Sequence, residues 1–340
     1  MRKGQNPAKL GIPAYQPHRL GVAVLSFIPT LEGYFADSLA ILKVQIESLR
    51  ASTPGDFDLF VFDNGSCAAV QAELQALLQA GRIDWLLASR HNLGKTGALN
   101  WIFGAMPNEW IVYADSDVLF RRGWLEASLK IREAFPAAGM ISAQPAFFDV
   151  LHGEGTAHRQ LAGEPGNRLG ERKLPAAVVN EYCQGIGAPP ERAEGLREQP
   201  VPVVSKADGS VEAVVGATHM QFLIERELAR QILPLPATRG LASEEDRALD
   251  ERIDRAGRLH LSTLEPLVYH MGNRLDEDLA AEIQRDLGGA MEPGREARKS
   301  EVPAGDRGWL KLFESLSRFR PFQKRLQRIY HLLFEYYAQR

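Results

Sequence analysis

The chain has 340 residues, 45% of them hydrophobic and 24% charged, with a formal net charge of −3. These proportions are typical of a globular protein, and the near-neutral charge gives no general signature of nucleic-acid binding. Cys67 and Cys183 lie far apart without metal-ligand spacing, which favours reduced thiols in a cytoplasmic protein. Residues 1–19 are expected to form a polar segment without the apolar core of a signal peptide. No apolar run approaches the roughly 20 residues that a membrane-spanning helix requires.

Apolar runs and helical periodicities alternate along the first part of the chain. Strands are predicted at 21–29, 59–62, 83–88, 111–114 and 139–143. Helices are predicted between them, at 39–49, 68–80, 95–105 and 124–135. This alternation predicts an α/β fold in which a mostly parallel sheet is flanked by helices. Ligands of such sheets gather at the carboxyl ends of the strands.

The alternation stops near residue 148. Residues 149–209 are rich in glycine, proline and charge, and we expect a loop-rich insertion with a short strand at 177–179. Further elements are predicted as a strand at 211–224, helices at 225–232 and 243–256, an extended segment at 259–270 and a helix at 276–287. The expected organisation is a polar segment (1–19), an α/β domain (20–274) and a helical C-terminal appendage (275–340).

Two carboxylates, Asp115 and Asp117, directly follow the predicted strand at 111–114. Carboxylates on a stiff strand end suit Mg²⁺ or Mn²⁺ that bridges a diphosphate, because these ions take few protein ligands and complete their shell with water and phosphate oxygens. A solvated turn is the alternative interpretation of the same pattern.

Glycines open the predicted helix that follows Asn92. Free N–H groups at this helix start, together with Lys95, could hold a phosphate. The tripeptide Gly94-Lys95-Thr96 also resembles the end of a Walker A loop, although Ser89 stands where that loop requires its first glycine. A P-loop NTPase therefore remains an alternative.

Further polar residues lie at the ends of predicted elements. Asp63 ends a strand, where it either contacts a nucleobase or forms a tight turn with the residues after it. Asp246 lies in the first turn of a helix on the same face as Leu249, and is either a general base or a helix cap. His270 is either a metal ligand or a structural residue, and His219 is expected to serve in packing.

The order of these motifs resembles that of family 2 glycosyltransferases of the GT-A fold, over about residues 20–274. The motifs are a strand followed by Pro29-Thr30, a strand followed by Asp63-Asn64-Gly65-Ser66, Asn92-x-Gly94-x3-Ala98-x-Asn100, a strand followed by Asp115-x-Asp117, and Glu245-Asp246-x2-Leu249-x2-Arg252-x4-Gly257. The chain departs from the family after Pro29-Thr30, where Leu31-Glu32 replaces the usual Tyr-Asn. Its 149–209 insertion, in the region where acceptors bind, also exceeds that of a minimal member.

The resemblance implies a metal-dependent, inverting enzyme that uses a UDP- or GDP-sugar donor and Mn²⁺ or Mg²⁺. The roles it implies are nucleotide or diphosphate contacts for Pro29, Asp63, Asn92, Lys95, Asp115 and Glu245, metal binding for Asp117 and His270, and general-base catalysis for Asp246. The acceptor, whether a glycan, a lipid-linked sugar or a protein, is not readable from the sequence. A sugar-nucleotide pyrophosphorylase is a further alternative, but its Gly-rich, Arg-containing loop does not follow the first strand.

The C-terminal segment differs in charge from the rest of the chain. Residues 307–340 contain eight basic and two acidic residues, a net charge of +6. Apolar and aromatic residues recur at helical spacing across 309–337. Such a helix either lies peripherally on an anionic membrane surface or packs on the α/β domain or on a second subunit.

Overall fold

The structure, a computed structural model, describes residues 15–147, 166–237, 242–275 and 277–287. The chain divides into two units, 1–291 and 292–340, and every described residue belongs to the first. The predicted helical segment at 309–337 lies outside the described residues, so its contact with membrane, domain or subunit stays a prediction. Within the described ranges, every helix is too short or too polar to span a bilayer.

The described residues form twelve short strands. They are β1 (Leu20–Ser26), β2 (Asp58–Asn64), β3 (Trp85–Ser89), β4 (Trp110–Asp115), β5 (Val118–Phe120), β6 (Ala138–Ser142), β7 (Asn167–Arg172), β8 (Val201–Lys206), β9 (Glu212–Val215), β10 (Gln221–Glu225), β11 (Leu259–Ser262) and β12 (Val268–His270).

Helices connect many of these strands. They are α1 (Ser38–Ser52), α2 (Ala68–Gln79), α3 (Gly94–Ala105), α4 (Trp124–Ala134), α5 (Ala176–Gly185), α6 (Pro190–Glu198), α7 (Arg226–Gln231), α8 (Ala242–Arg255) and α9 (Glu277–Leu287). A single 3-10 turn, Gly33–Phe35, precedes α1.

A ten-stranded sheet forms the centre of the unit, in the order β3-β2-β1-β4-β10-β6-β11-β9-β8-β7. Its first four strands are mutually parallel, and β6 and β11 are also parallel. Strand β10 is antiparallel to both β4 and β6, and the far end from β11 to β7 is antiparallel. The sheet is therefore mixed, and the predicted α/β class with flanking helices is confirmed.

The central strands are buried on both faces, as their continuous apolar runs predict. Side chains alternate between the two faces of a strand, and along β1 Val22 and Val24 join one apolar cluster whereas Ala23 joins the other. The first cluster contains residues of α1, α2 and α4, and the second contains residues of α3, α7 and α8. The sheet consequently lies between two helical layers, with its strand ends open to ligands.

A separate two-stranded sheet lies beside the end of β4. Strands β5 and β12 pair antiparallel, with His270 opposite Val118. The apolar side chains of α9 pack here, because Leu279 and Ile283 join a cluster with Tyr269 and residues of α1. Helix α9, predicted as the start of the appendage, therefore packs within the first unit.

The predicted strand at 177–179 is wrong, because these residues lie in helix α5. The β-branched pair Val178-Val179 favoured a strand, but Val179 and Cys183, one helical turn apart, are both buried in a local apolar cluster. The described part of the insertion also contains more regular secondary structure than predicted, since β7, α5, α6 and β8 fall within it. The predicted single strand at 211–224 is two strands, β9 and β10, separated by a turn that includes Gly216.

The first prediction concerns Gly21 in β1, where a side chain has no room. A Cβ there would lie 2.4 Å from Oδ1 of Asn108. Asn108 cannot easily move, because its buried amide donates to the carbonyls of His18 and Leu20. We expect Gly21→Ala to lower the free energy of unfolding by about 1–3 kcal/mol through overpacking.

The control is Gly195→Ala in α6, where a Cβ would meet nothing within 4 Å. Replacing a helical glycine by alanine in open space should stabilise by about 0.5–1 kcal/mol. Urea unfolding of both variants measures the difference, and equal stability of the two would contradict the packing described around Gly21.

Candidate functional site

Asp115 is the last residue of strand β4 and lies at the carboxyl end of this central strand. The backbone N–H of Asp115 donates to the carbonyl of Met220, 2.8 Å away, which joins this strand end to the loop before β10. The Tyr113 hydroxyl donates to Oδ1 of Asp115. Burial and the neighbouring Asp115 carboxylate raise the pKa of Tyr113 well above its ordinary value, so the phenol remains a donor.

Lys95 on α3 is the cation of the site. Its Nζ donates to the carbonyl of His219 at 2.9 Å and lies 3.4 Å from Oδ2 of Asp115 and 3.6 Å from Oδ1 of Asp246. Burial lowers the pKa of Lys95, but attraction to Asp115, Asp246 and Glu245 together outweighs it, so the pKa is raised. The ammonium therefore stays charged and links three separate elements.

The N–H groups at the start of α3 are occupied by side chains. The N–H of Leu93 donates to Oδ1 of Asn64, that of Gly94 to Oδ1 of Asn92, and that of Lys95 to Oε1 of Glu245, at 2.8, 2.9 and 2.8 Å. A phosphate cradle of the P-loop type requires these groups to be free. The arrangement thus argues against a P-loop at Gly94-Lys95-Thr96.

Asp117 and His270 meet where β5 and β12 pair. Oδ2 of Asp117 lies 3.4 Å from Nε2 of His270, and Nδ1 of His270 lies 2.8 Å from the carbonyl of Gly185. A proton on Nδ1, shared with that carbonyl, leaves the lone pair of Nε2 directed towards Asp117. Oδ1 of Asp117 is buried without a hydrogen-bond partner in the described part of the chain.

This pair fits a divalent cation. Two ligand atoms facing each other need a proton or a cation between them, and a histidine held through its other nitrogen is the usual arrangement of a metal ligand. Burial raises the pKa of Asp117 to about 6, and the repulsion of Asp115 adds to it, whereas a protonated His270 would lower it. Within the described ranges, no group of three or more His, Cys, Asp or Glu side chains converges on one point. A substrate diphosphate and water would add further ligands to such an ion.

Two cavities open on either side of the Lys95–Asp115 contact. The first, about 500 Å³, is lined among others by Tyr34, Asn64, Asn92 and Asp117. The second, about 340 Å³, is lined among others by Gln144, Tyr182, His219 and Asp246. Both are lined by Lys95, Asp115, Glu245 and His270. Two ligands could therefore approach each other across one shared wall.

Two predicted nucleotide contacts lie apart from these cavity walls. Asp63 is fully buried, and its two carboxylate oxygens accept from the N–H of Ser66 at 2.9 Å and the amide of Gln71 at 3.1 Å. This supports the tight-turn interpretation, and a nucleobase contact stays a prediction. Pro29 is exposed, whereas Ile28 before it lines the larger cavity.

The loop before β10 supplies a site residue that the sequence did not indicate. His219, expected to serve in packing, is indeed largely buried, but it also lines the smaller cavity. Its Nδ1 lies 3.9 Å from Oδ2 of Asp246, and its Nε2 lies 2.8 Å from Oδ1 of Asp250. No motif contains His219. The one available signal was its place just before an apolar strand.

Residues 33–185 match the family model described as Glycosyl transferase family 2. This match includes the motifs from Asp63 to Asp117 and confirms the family resemblance over these residues. No curated protein matches the chain.

Two solved structures show some similarity to the chain. One is the mannosyltransferase PcManGT from Pyrobaculum calidifontis in complex with GDP-Man and Mn²⁺, with 13% identity, 74% of this chain and 56% of that chain covered, and a TM-score of 0.44. The other is S. aureus TarS 1–349, with 10% identity, 79% and 64% covered, and a TM-score of 0.43. The chain thus spans less than two thirds of either protein.

The second prediction separates backbone strain from site geometry. Gly94 and Gly81 have almost the same positive φ, +70° and +68°, but only at Gly94 would a Cβ meet a neighbour, Oε1 of Glu245 at 2.7 Å. Alanine at either position should cost about 1–2 kcal/mol of stability through the left-handed backbone. Only Gly94→Ala should displace Glu245 from the N–H of Lys95 and lower glycosyl transfer.

Thermal unfolding and nucleoside-diphosphate release, measured on both variants, test this expectation. Similar losses of stability with an activity loss confined to Gly94→Ala are expected. An equal loss of activity in Gly81→Ala would show that general destabilisation explains the effect.

Proposed function

We propose that this chain, whose residues 33–185 belong to glycosyl transferase family 2, moves a sugar from a nucleoside-diphosphate sugar to an acceptor hydroxyl with inversion at the anomeric carbon. The observation that carries the proposal is the pair of cavities with one shared wall. An inverting displacement needs the acceptor opposite the leaving group, with one carboxylate beside it and no enzyme nucleophile. Two pockets that meet at Lys95 and Asp115 suit this requirement.

The larger cavity would hold the donor. Its size, about 500 Å³, and its lining by Asn64, Asn92 and Asn273 suit a polar nucleotide. Tyr34 and Phe35, which also line it, could pack against a base. Asp115, at the shared wall, would contact the ribose or the diphosphate. These assignments place the bond to be broken near Lys95.

Asp117 and His270 would hold Mn²⁺ or Mg²⁺ next to the donor diphosphate. Oδ2 of Asp117 and the oriented Nε2 of His270, 3.4 Å apart, would supply the donor atoms. The bound cation would supply positive charge to the diphosphate as it leaves. The positions of Asp117 and His270 would determine where this charge lies. Pairing of β5 with β12 holds both residues, and the Gly185 carbonyl also holds the His270 ring.

Asp246 would act as the general base. Its carboxylate lies between the Lys95 ammonium and the His219 ring, at the wall of the smaller cavity. A sugar or other hydroxyl bound there would give its proton to Oδ2 while its oxygen attacks the anomeric carbon. The Lys95 ammonium, 3.6 Å from Oδ1, would hold the carboxylate in position with Oδ2 towards the cavity.

The 149–209 insertion would help to select the acceptor. Its helix α5 contributes Tyr182 to the smaller cavity, and Ile186 just after the helix also lines it. The acceptor class, whether a glycan, a lipid-linked sugar or a protein, stays open.

A panel of UDP-glucose, UDP-N-acetylglucosamine, UDP-galactose and GDP-mannose with Mn²⁺ tests the proposed reaction directly. We expect nucleoside diphosphate to be released from at least one sugar donor, slowly with water as the acceptor. ATP and GTP should remain intact. Hydrolysis of ATP or GTP that disappears in Lys95→Ala would instead support the P-loop alternative, which the occupied N–H groups disfavour.

The third prediction concerns the metal. Asp117→Asn keeps the size of the side chain but removes its charge, so Mn²⁺-dependent donor turnover should fall by about 10²-fold or more. Asp208→Asn, on an exposed turn, is the control and should leave turnover unchanged. Calorimetry should show weaker Mn²⁺ binding in the first variant only. Full turnover of wild-type protein in excess chelator would contradict metal dependence.

The fourth prediction concerns the base. Asp246→Asn should lower kcat by about 10²–10⁴-fold while donor binding and melting temperature change little. Asp254→Asn, two turns later on α8, removes a carboxylate from the same helix away from both cavities and is the matched control. If Asp246→Asn mainly lowers the melting temperature and keeps its kcat, Asp246 stabilises its helix and does not take part in the reaction.

A further inference from the structure

Behind Asp246 lies a row of buried polar side chains whose purpose the proposed reaction does not explain. His219 is followed by Asp250 on α8 and His260 on β11, and these three are 9%, 1% and 6% exposed. Oδ1 of Asp250 lies 2.8 Å from Nε2 of His219 and 3.6 Å from Nδ1 of His260. Oδ2 of Asp250 has no hydrogen-bond partner among the described residues. A buried carboxylate with one oxygen unpaired favours a positive charge beside it.

The close contact with Asp250 sets the tautomer of His219. An ionised Asp250 accepts hydrogen bonds only, so Nε2 of His219 must carry the proton between them. The other nitrogen, Nδ1, then has a free lone pair in the neutral ring. Nδ1 faces Oδ2 of Asp246 at 3.9 Å, at the wall of the acceptor cavity. His219 is thus a proton acceptor directed at the general base.

The loop that carries His219 is fixed. Its carbonyl accepts from Nζ of Lys95, and the following residue, Met220, accepts from the N–H of Asp115. The carboxylates that face the imidazole are Asp246 and Asp250 from α8. His260 from β11 contacts the same oxygen of Asp250, and the Lys95 ammonium from α3 contacts the backbone carbonyl of His219. Among them Asp250 is the nearest to the ring, with Oδ1 2.8 Å from Nε2.

We propose that His219, held by Asp250, is a positioning residue that relays the acceptor proton away from Asp246. This inference rests on the proposed function, in which Asp246 is the base. The acceptor oxygen forms its bond to the anomeric carbon, and the bond from that carbon to the diphosphate oxygen breaks with its electron pair. The acceptor proton passes to Oδ2 of Asp246 and then to Nδ1 of His219. The resulting imidazolium is paired with the Asp250 carboxylate.

The relay has a physical advantage for turnover. A protonated Asp246 would leave Lys95 with one carboxylate fewer, since Nζ lies 3.6 Å from Oδ1 of Asp246. Passing the proton to His219 restores that carboxylate and places the new positive charge against a buried anion. A purely structural alternative is that the buried row only joins α8 to β11.

Three variants distinguish a proton relay through His219 from a purely structural role of the buried row. His219→Gln keeps an amide that can donate to Asp250 but has no site for a proton. Asp250→Asn keeps an acceptor oxygen for His219 but loses the charge. His260→Asn disturbs the far end of the same buried row, away from both cavities, and is the matched control. Donor turnover is followed as nucleoside-diphosphate release, with water as acceptor, from the sugar donor that the panel selects.

The relay predicts that kcat falls about 10–100-fold in His219→Gln and Asp250→Asn, with the donor KM unchanged, while His260→Asn changes only the melting temperature. Imidazole added to His219→Gly should raise kcat, which a structural role would not produce. Equal kcat in all three variants, or losses that follow the melting temperatures, would overturn the relay. Normal turnover in Asp246→Asn would instead overturn the proposed function.

Histidine ¹⁵N NMR gives a readout that needs no substrate. The relay requires His219 to carry its proton on Nε2 and to have a bare Nδ1 in the resting wild-type protein. A resonance pattern with the proton on Nδ1 alone would overturn the relay, even if the variants lose activity.

Discussion

The buried ammonium of Lys95 is the interaction on which the site depends. It lies within 3.6 Å of the carboxylates of Asp115 and Asp246 and donates to the carbonyl of His219, so α3, β4, α8 and the loop before β10 converge on one charge. Without that charge, two carboxylates would repel each other at low dielectric. The same contact forms the wall between the two cavities. One interaction thus holds the scaffold together and places the proposed base, Asp246, where the two cavities meet.

A second constraint is the short antiparallel pairing of β5 and β12. It brings His270 across from Val118, and the N–H of Met271 donates to the carbonyl of Asp117 at 2.7 Å. Helix α5 completes the arrangement, because its last residue, Gly185, accepts from His270. A Cβ at Gly185 would lie 2.7 Å from the His270 carbonyl, so a glycine is needed for this close approach. The insertion that carries α5 is therefore part of the site.

Much of the fold and of the candidate site was predictable from the sequence, because strand ends and turns are local features. Continuous apolar runs located β1, β2 and β4, and polar residues after them located Asp115 and Asp117. Local patterns could not show that the start of α3 meets Glu245, 150 residues later, or that Lys95 reaches the loop of His219, 124 residues later. The Walker-like tripeptide was ambiguous for the same reason, since only the fold shows that its N–H groups are already bonded.

Local propensity also gave a wrong prediction where tertiary packing determines the secondary structure. Val178-Val179 favoured a strand, but the apolar cluster beneath Val179 and Cys183 stabilises a helix. Asp63 had two equally good interpretations, and its burial beside Ser66 and Gln71 supports the turn. His219 carried no signal, because its chemistry arises from Asp250 and Asp246 on a helix that is distant in sequence.

The proposed reaction depends on Asp117 and His270 forming one metal–diphosphate site at the wall of the larger cavity. Crystals of the full chain grown with Mn²⁺ and either UDP or GDP, measured at the manganese absorption edge, test it most directly. We expect one anomalous peak within coordination distance of Asp117 Oδ2 and His270 Nε2, with the diphosphate beside it and the nucleoside in the cavity lined by Asn64 and Asn92. A nucleotide bound elsewhere, or a manganese peak away from both side chains, would contradict the account.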